Sequence, residues 1–362
     1  MKRILLGTTA LAFAGAMGAG QASAADKLSV GVSGYLQQWV GFSSVEDTAI
    51  PANEGGVAQH SDTEVHFRGK VESDNGLTFS IKVELEGNSG ANSGPAIDES
   101  QLTVSGDFGA VTLGAEDPVV TLTHHGVRDA GFGMICGDFG HWINGIKGCG
   151  PGGVGTAGHA LGDKNNVTYF SPVVNGVQFG VTYVPHHRQE DRRLNQDPSK
   201  DDAKGLVWND DDAWSVGGNY KGEFGGANVV VSLGHYERSQ VGGDDYTYSN
   251  FGLNVGMDAF SFDVAYAVSD GAATDGGNTD VVAAGVMYTD GPMAISLGQT
   301  LSEADDGDEQ TATLLSASYA LAPGIAWRSS LFAAERDRGT TDSNAGHSVD
   351  GNGFVTGITI GF

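Results

Sequence analysis

The 362-residue sequence predicts an all-β fold, a 16-stranded antiparallel transmembrane β-barrel, and three observations carry that prediction. Apolar and polar residues alternate with a period of two along most of the chain, whereas a 3.6-residue period is scarce. Short turns alternate with long acidic connections. The last residues, Phe354-Val-Thr-Gly-Ile358-Thr-Ile360-Gly-Phe362, form an alternating strand that runs to the terminal carboxylate and must be buried or placed in lipid.

At the amino terminus, Lys2 and Arg3 precede an apolar stretch from Ile4 to Gly20, and Gln21-Ala22-Ser23-Ala24-Ala25 offers a small-x-small cleavage site. This reads as a secretory signal peptide over 1–24, cut after Ala24, with the barrel domain over 25–362. A retained anchor fits less well, because Gly and Thr interrupt the stretch. No other segment has the roughly 20 apolar residues that a membrane helix requires.

The alternating segments lie near 28–42, 62–72, 77–87, 97–105, 110–116, 165–171, 177–184, 213–221, 227–238, 246–256, 260–269, 279–289, 292–301, 310–321, 324–335 and 352–362. Their lengths suit tilted membrane strands of roughly 9–11 residues. Seven short turns, such as Asp74-Asn75-Gly76 and Pro323-Gly324, are interleaved with long connections at 43–61, 87–96, 117–164, 185–212, 239–245, 270–278, 302–309 and 336–351. Tight turns on one side and long loops on the other are the rhythm of an outer-membrane barrel, and an even strand count puts both termini on the periplasmic side.

The strand faces predict a wet interior. Leu77, Phe79, Ile81, Val83 and Leu85 share one face, while Thr78, Ser80, Lys82, Glu84 and Glu86 share the other. A soluble sandwich also alternates but turns its apolar face inward, so alternation alone does not separate the two. The export signal, the loop rhythm and terminal Phe362 favour the barrel. Aromatic residues near strand ends, including Tyr183, Trp214, Tyr266, Tyr288 and Trp327, suit interfacial girdles. Trp39 is the exception, sharing a face with Ser33, Tyr35 and Gln37.

Composition narrows the function. The chain has 57 Gly, 9 Pro, 2 Cys and a formal charge of −26; removing Lys2 and Arg3 with the signal peptide leaves 17 basic against 45 acidic residues, or −28. So much acid excludes nucleic acid as a natural partner and favours a surface that meets cations.

Together these features resemble the Gram-negative general porins, in particular those of alphaproteobacteria. The resemblance spans the chain and rests on Ala22-Ser23-Ala24, Gly31-Val32-Ser33-Gly34-Tyr35, one exceptionally long early loop and Gly357-Ile358-Thr359-Ile360-Gly361-Phe362. Phe362, with Ile360 and Ile358 on the same face, is similar to the C-terminal assembly signal of outer-membrane barrels. The resemblance implies a multi-pass barrel in the cell outer membrane, reached through the periplasm with the help of the barrel-assembly machinery. It also implies a homotrimer in contact with the lipid bilayer and lipopolysaccharide. The third external loop would fold into the lumen and narrow a water-filled channel through which small hydrophilic solutes and ions diffuse.

Residues 117–164 are that loop, and Gly148-Cys149-Gly150-Pro151-Gly152-Gly153 lets its backbone turn sharply. Cys136 and Cys149 both lie in it. In an oxidising compartment an even pair favours a disulfide, which would stabilise the loop by roughly 3 kcal/mol. His124, His125, His141 and His159 match no metal-ligand spacing, so no metal or other cofactor is expected there.

The acidic side of the constriction is assigned to Glu116, Asp117, Asp129 and Asp138. The basic side is assigned to Arg68, Lys70 and Lys82, with His66, Glu84, Glu99 and Arg328 as further lumen residues. If Gly76 takes the left-handed position of a three-residue hairpin loop, Arg68 faces Lys82 and His66 faces Glu84. Two like charges opposed are unfavourable. One reading makes them solvated lumen bases softened by Glu84; the preferred one makes them the wall that faces the loop acids across the pore. A transverse field of that kind orders water and favours dipolar solutes, and the net acid predicts cation selectivity. The acidic runs Asp210–Asp212, Asp305-Asp306 and Asp308-Glu309 are solvated external loops, with calcium or another divalent cation as a minority reading.

Two alternatives compete. A sugar- or ion-specific channel needs an inward aromatic track or basic rings, and the inward set offers Tyr35, Trp39, Tyr236, Tyr246 and Tyr248. A barrel hydrolase needs mutually placed catalytic groups, and none is legible, so no enzyme is predicted.

Overall fold

The computed structural model describes residues 28–87, 97–132, 138–147, 156–158, 162, 164–185, 212–239, 245–271 and 277–362. The expected signal peptide, both cysteines and the acids at 201–211 lie outside the described residues. Among those described, sixteen strands follow one another: β1 (Ser29–Asp47), β2 (Gly55–Glu72), β3 (Thr78–Glu86), β4 (Ile97–Gly106), β5 (Gly109–Glu116), β6 (Lys164–Phe170), β7 (Val177–Val184) and β8 (Ala213–Phe224). The second half contains β9 (Ala227–Arg238), β10 (Tyr246–Met257), β11 (Phe260–Asp270), β12 (Thr279–Asp290), β13 (Met293–Ala304), β14 (Glu309–Ala322), β15 (Ile325–Asp337) and β16 (Ser348–Gly361). Each strand pairs with its successor, and β16 returns to β1 to close the barrel. Closure gives each strand a neighbour on both sides, the condition for crossing lipid without a helix.

The faces follow the alternation. Val32, Phe42, Leu233, Phe262 and Leu331 are exposed on the outside, where hydrocarbon would cover them. Thr168, Thr182, Ser215, Ser232 and Ser316 are buried on the inside. The hairpin between β2 and β3 has the expected register, with Arg68 opposite Lys82 and His66 opposite Glu84. Gly76 supplies the left-handed turn position at φ +80°.

Two connections differ from expectation. The acidic stretch 43–61 is largely strand: β1 continues to Asp47 and β2 begins at Gly55, with Ser43 opposite Gly56. Its polar side chains look loop-like, but its backbone is paired: 43–47 to β16, and 55–61 to β1. Likewise 302–309 contracts to a tight turn at 305–308, closed by the Ala304 N–H donating to the Asp308 carbonyl at 2.9 Å.

The interior differs too, because part of it is packed. Phe132, Phe139, Trp142, Ile143 and Ile146 of the long loop form one apolar cluster with Trp39, Leu314, Phe332, Val349 and Val355. A second cluster gathers Tyr236, Tyr246 and Tyr248 with Val120 of the same loop. The loop supplies apolar side chains that strand alternation alone does not reveal, and these fill one side of the lumen.

Candidate functional site

The loop after β5 lies in a trough on the inner wall. It begins with Pro118 and a single helical turn, α1 (Val119–Leu122), and its backbone donors are received by wall hydroxyls. The N–H groups of Val119, Val120, His125 and Ala130 donate to Thr182 (2.9 Å), Ser215 (3.0 Å), Ser232 (2.9 Å) and Ser296 (2.8 Å). Asn250 and Asn254 donate to the carbonyls of Val120 (3.1 Å) and Gly126 (3.0 Å). Irregular backbone inside a barrel needs such partners, since an unmet buried N–H costs about as much as a lost hydrogen bond. Arg128 anchors the segment on β11 by a two-pronged pair with buried Asp263, at 2.6 and 3.0 Å.

Wall glycines create the space. A Cβ at Gly180, Gly217, Gly234, Gly252 or Gly285 would come within 2.0 to 2.7 Å of loop atoms. Farther along, Lys147 and Gln310 exchange hydrogen bonds at 2.9 and 2.7 Å. Ser43 of β1 donates to the Trp142 carbonyl at 2.6 Å, and the His141 ring stacks on His60 of β2 at 3.9 Å. The described loop residues thus lean on β7 to β16 and reach the outer ends of β1 and β2.

The opposite wall, β2 to β5, is charged. Lys82 bonds Glu99 and lies 3.0 Å from Glu116 and 3.5 Å from Glu84. Arg68 donates to Glu84 at 3.0 Å, and its Nη2 is 2.9 Å from His66 Nδ1, while His66 Nε2 is 2.7 Å from Glu64. Gln101 bonds Glu116. Toward the short turns a recess of ≈ 420 Å³ is lined by Arg68, Lys70, Ser80, Lys82, Gln101 and Thr103.

The site residues expected from sequence therefore divide. Arg68, Lys70, Lys82, His66, Glu84, Glu99 and Glu116 come together on one wall. Asp129 is on the other side, accepting from the Gly131 N–H at 2.9 Å and Ser296 Oγ at 3.1 Å. Arg328 donates to the Gly131 carbonyl at 2.8 Å, beside it. Asp117 links β5 to α1, and Asp138 opens a 3-10 turn, Asp138–His141. Arg68 and Lys82 are thus paired with acids of the same wall. Opposed bases on neighbouring strands need counter-charges within reach, and the adjacent strands supply them.

Sequence reasoning missed three features. Asp62, Glu64 and Asp98 also face inward; Asp98 does so because the β3–β4 register shifts between Val83 and Leu85. Arg128 and Asp263 gave only a lone loop base and a lone strand acid as signals. At the outer end, Arg336 binds Asp308 and Asp342, and Arg338 binds Asp47, all as close ion pairs. Asp308 is therefore held by protein partners. Phe362 projects outward, its backbone exchanging bonds with Gly34 at 2.9 and 3.0 Å, next to exposed Ile360 and half-buried Ile358.

A family model described as Gram-negative porin matches residues 7–340. No curated protein matches. Among solved structures, the chain is similar to an anion-selective porin from Comamonas acidovorans, at 18% identity and TM-score 0.61 over 93% of this chain and 100% of that one. It is similar to the trimer form of OmpT from Vibrio cholerae, at 14% identity and TM-score 0.59 over 93% and 100%. A mutant porin of Rh. blastica gives 19% identity and TM-score 0.53 over 92% and 100%. These structural likenesses bear on the fold.

Proposed function

From the chain's membership of the Gram-negative porin family, which makes it an outer-membrane channel and not an enzyme, we propose that it is a general diffusion route for small hydrophilic solutes and ions, with a preference for cations. The observation that carries the preference is the composition of the β2–β5 wall. Among the described residues, Asp62, Glu64, Glu84, Glu86, Asp98, Glu99 and Glu116 outnumber Arg68, Lys70 and Lys82 there. An aqueous gap lined by excess acid concentrates cations and repels anions, the more so between low-dielectric walls. The loop over 117–164 is the narrowing element, with its Cys136–Cys149 disulfide as a stiffener.

A sugar-specific channel draws no support. Trp39, Tyr236, Tyr246 and Tyr248 are each at most 3% exposed beneath the loop, which leaves Tyr35 as the inward aromatic that a sugar ring could meet. The anion-selective Comamonas structure has the same fold, so the sign of selectivity rests on this chain's own charges. A homotrimer is part of the proposal, supported by the solved trimer form of the similar Vibrio OmpT.

The test is planar-bilayer conductance of purified protein under a salt gradient. A reversal potential of cation sign is expected, and one of anion sign overturns the preference. Native mass measurement in mild detergent checks the trimer.

A further inference from the structure

The charges of the open wall are sorted along the pore. On β2, inward-facing Asp62 and Glu64 lie toward the long loops, Arg68 and Lys70 lie toward the short turns, and Glu72 ends the same face at the turn. β3 repeats the order, with Glu86 and Glu84 on the loop side of Lys82. On β4 and β5 the acids Asp98, Glu99 and Glu116 occupy the loop ends, and nearer the turns come neutral Gln101, Thr103 and Thr112. On β3, β4 and β5 the acids all lie on the loop side, and on β2 the single acid Glu72 is set against Arg68 and Lys70, so the turn side keeps an excess of base that strand tilt does not undo.

The two zones are also dense. Carboxylate oxygens of Glu64, Glu86 and Asp98 all lie within 4.8 Å of one another. On the turn side, exposed Arg68 and Lys70 open into the ≈ 420 Å³ recess together with Lys82. The loop's described anchors fall on β7–β16 and on Ser43 and His60 at the outer ends of β1 and β2, which leaves most of this wall to face the passage.

We propose that the channel is polarised along its axis, with a negative zone toward the outside and a positive zone toward the periplasm, and that it conducts asymmetrically. The inference rests on reading the chain as a diffusion channel lined by this wall. Negative walls admit cations and positive walls admit anions. When the periplasmic side is negative, cations enter through the acidic zone and anions through the basic one. Both gather at the junction, and conductance rises. The opposite polarity draws both away and depletes the junction.

Single-channel current–voltage curves test this, with orientation assigned by one-sided protease sensitivity of the long loops. In ~0.1 M KCl the current with the periplasmic side negative should exceed the reverse by about 1.5-fold, falling to about 1-fold at ~1 M as the Debye length contracts from ~10 to ~3 Å. Lys70→Gln and the pair Glu86→Gln with Asp98→Asn attack the two zones separately, and each should move the ratio toward one. Rectification of the opposite sign, or a ratio unmoved by both variants, overturns the inference. A cation-preferring channel with a straight curve at low salt overturns it alone. A preparation that inserts without conducting overturns the channel reading and this inference with it.

Discussion

Arg336 and Arg338 show how single residues hold the outer rim. Arg336 is 4% exposed and binds Asp308, itself 2% exposed, through Nε at 2.8 Å and Nη2 at 2.5 Å. Breaking one side of such a pair leaves a buried charge uncompensated, which costs roughly 3–5 kcal/mol. Asp308→Asn should therefore lower barrel stability by about 3 kcal/mol, the smaller figure because Asp342 still binds Arg336 at 2.7 Å. The temperature at which the folded band disappears on heat-modifiability gels measures it, and an unchanged temperature refutes it. Acid adds a second prediction. Burial alone would raise the Asp342 carboxyl, but the Asn344 N–H and the Arg336 and Arg338 guanidiniums outweigh it and hold the carboxyl below its ordinary value. A group lowered on folding stabilises fully above its unfolded pKa of about 3.9, and that contribution fades as pH falls through the lower folded value. Proteolysis of 338–347 should accelerate below about pH 4, and Asp342→Asn should flatten that dependence.

At the scale of elements, the loop and its trough are one device. Gly252 leaves no room for a side chain, since a Cβ would stand 2.0 Å from the His125 carbonyl oxygen. Gly252→Val should lift the segment from α1 to Arg128 off the wall without opening the barrel, because β9, β10 and β11 keep their ladders. Unit conductance should change by twofold or more, on the order expected when a constriction element moves, while the folded band persists on gels. Unchanged conductance would mean that this segment does not set the passage. The strands were legible because alternation and turn chemistry are local: Asp74-Asn75-Gly76 was enough to place Arg68 against Lys82. The trough was not legible, because its glycines and hydroxyls are scattered over β7–β13 and become one surface only when the register is known. The same limit hid Arg128–Asp263, whose members are 135 positions apart.

For the whole molecule, the question is whether discrimination comes from a field or from contact. The chain's −26 formal charge and the acid excess of the wall act on ions that need not touch any one carboxylate, so the effect has the reach of the Debye length. That reach is about 10 Å at 0.1 M salt and about 3 Å at 1 M. Cation preference should therefore fall steeply between those salts, toward the ratio of bulk mobilities, while unit conductance rises with salt. Removing bases should act oppositely to removing acids: Lys70→Gln raises the preference at low salt, and Glu86→Gln lowers it. Reversal potentials at the two ionic strengths measure both effects. A preference that persists undiminished at 1 M would place discrimination in direct ligation of dehydrated ions, which a wall whose Glu84 and Glu116 are already paired with Arg68 and Lys82 is poorly arranged to provide.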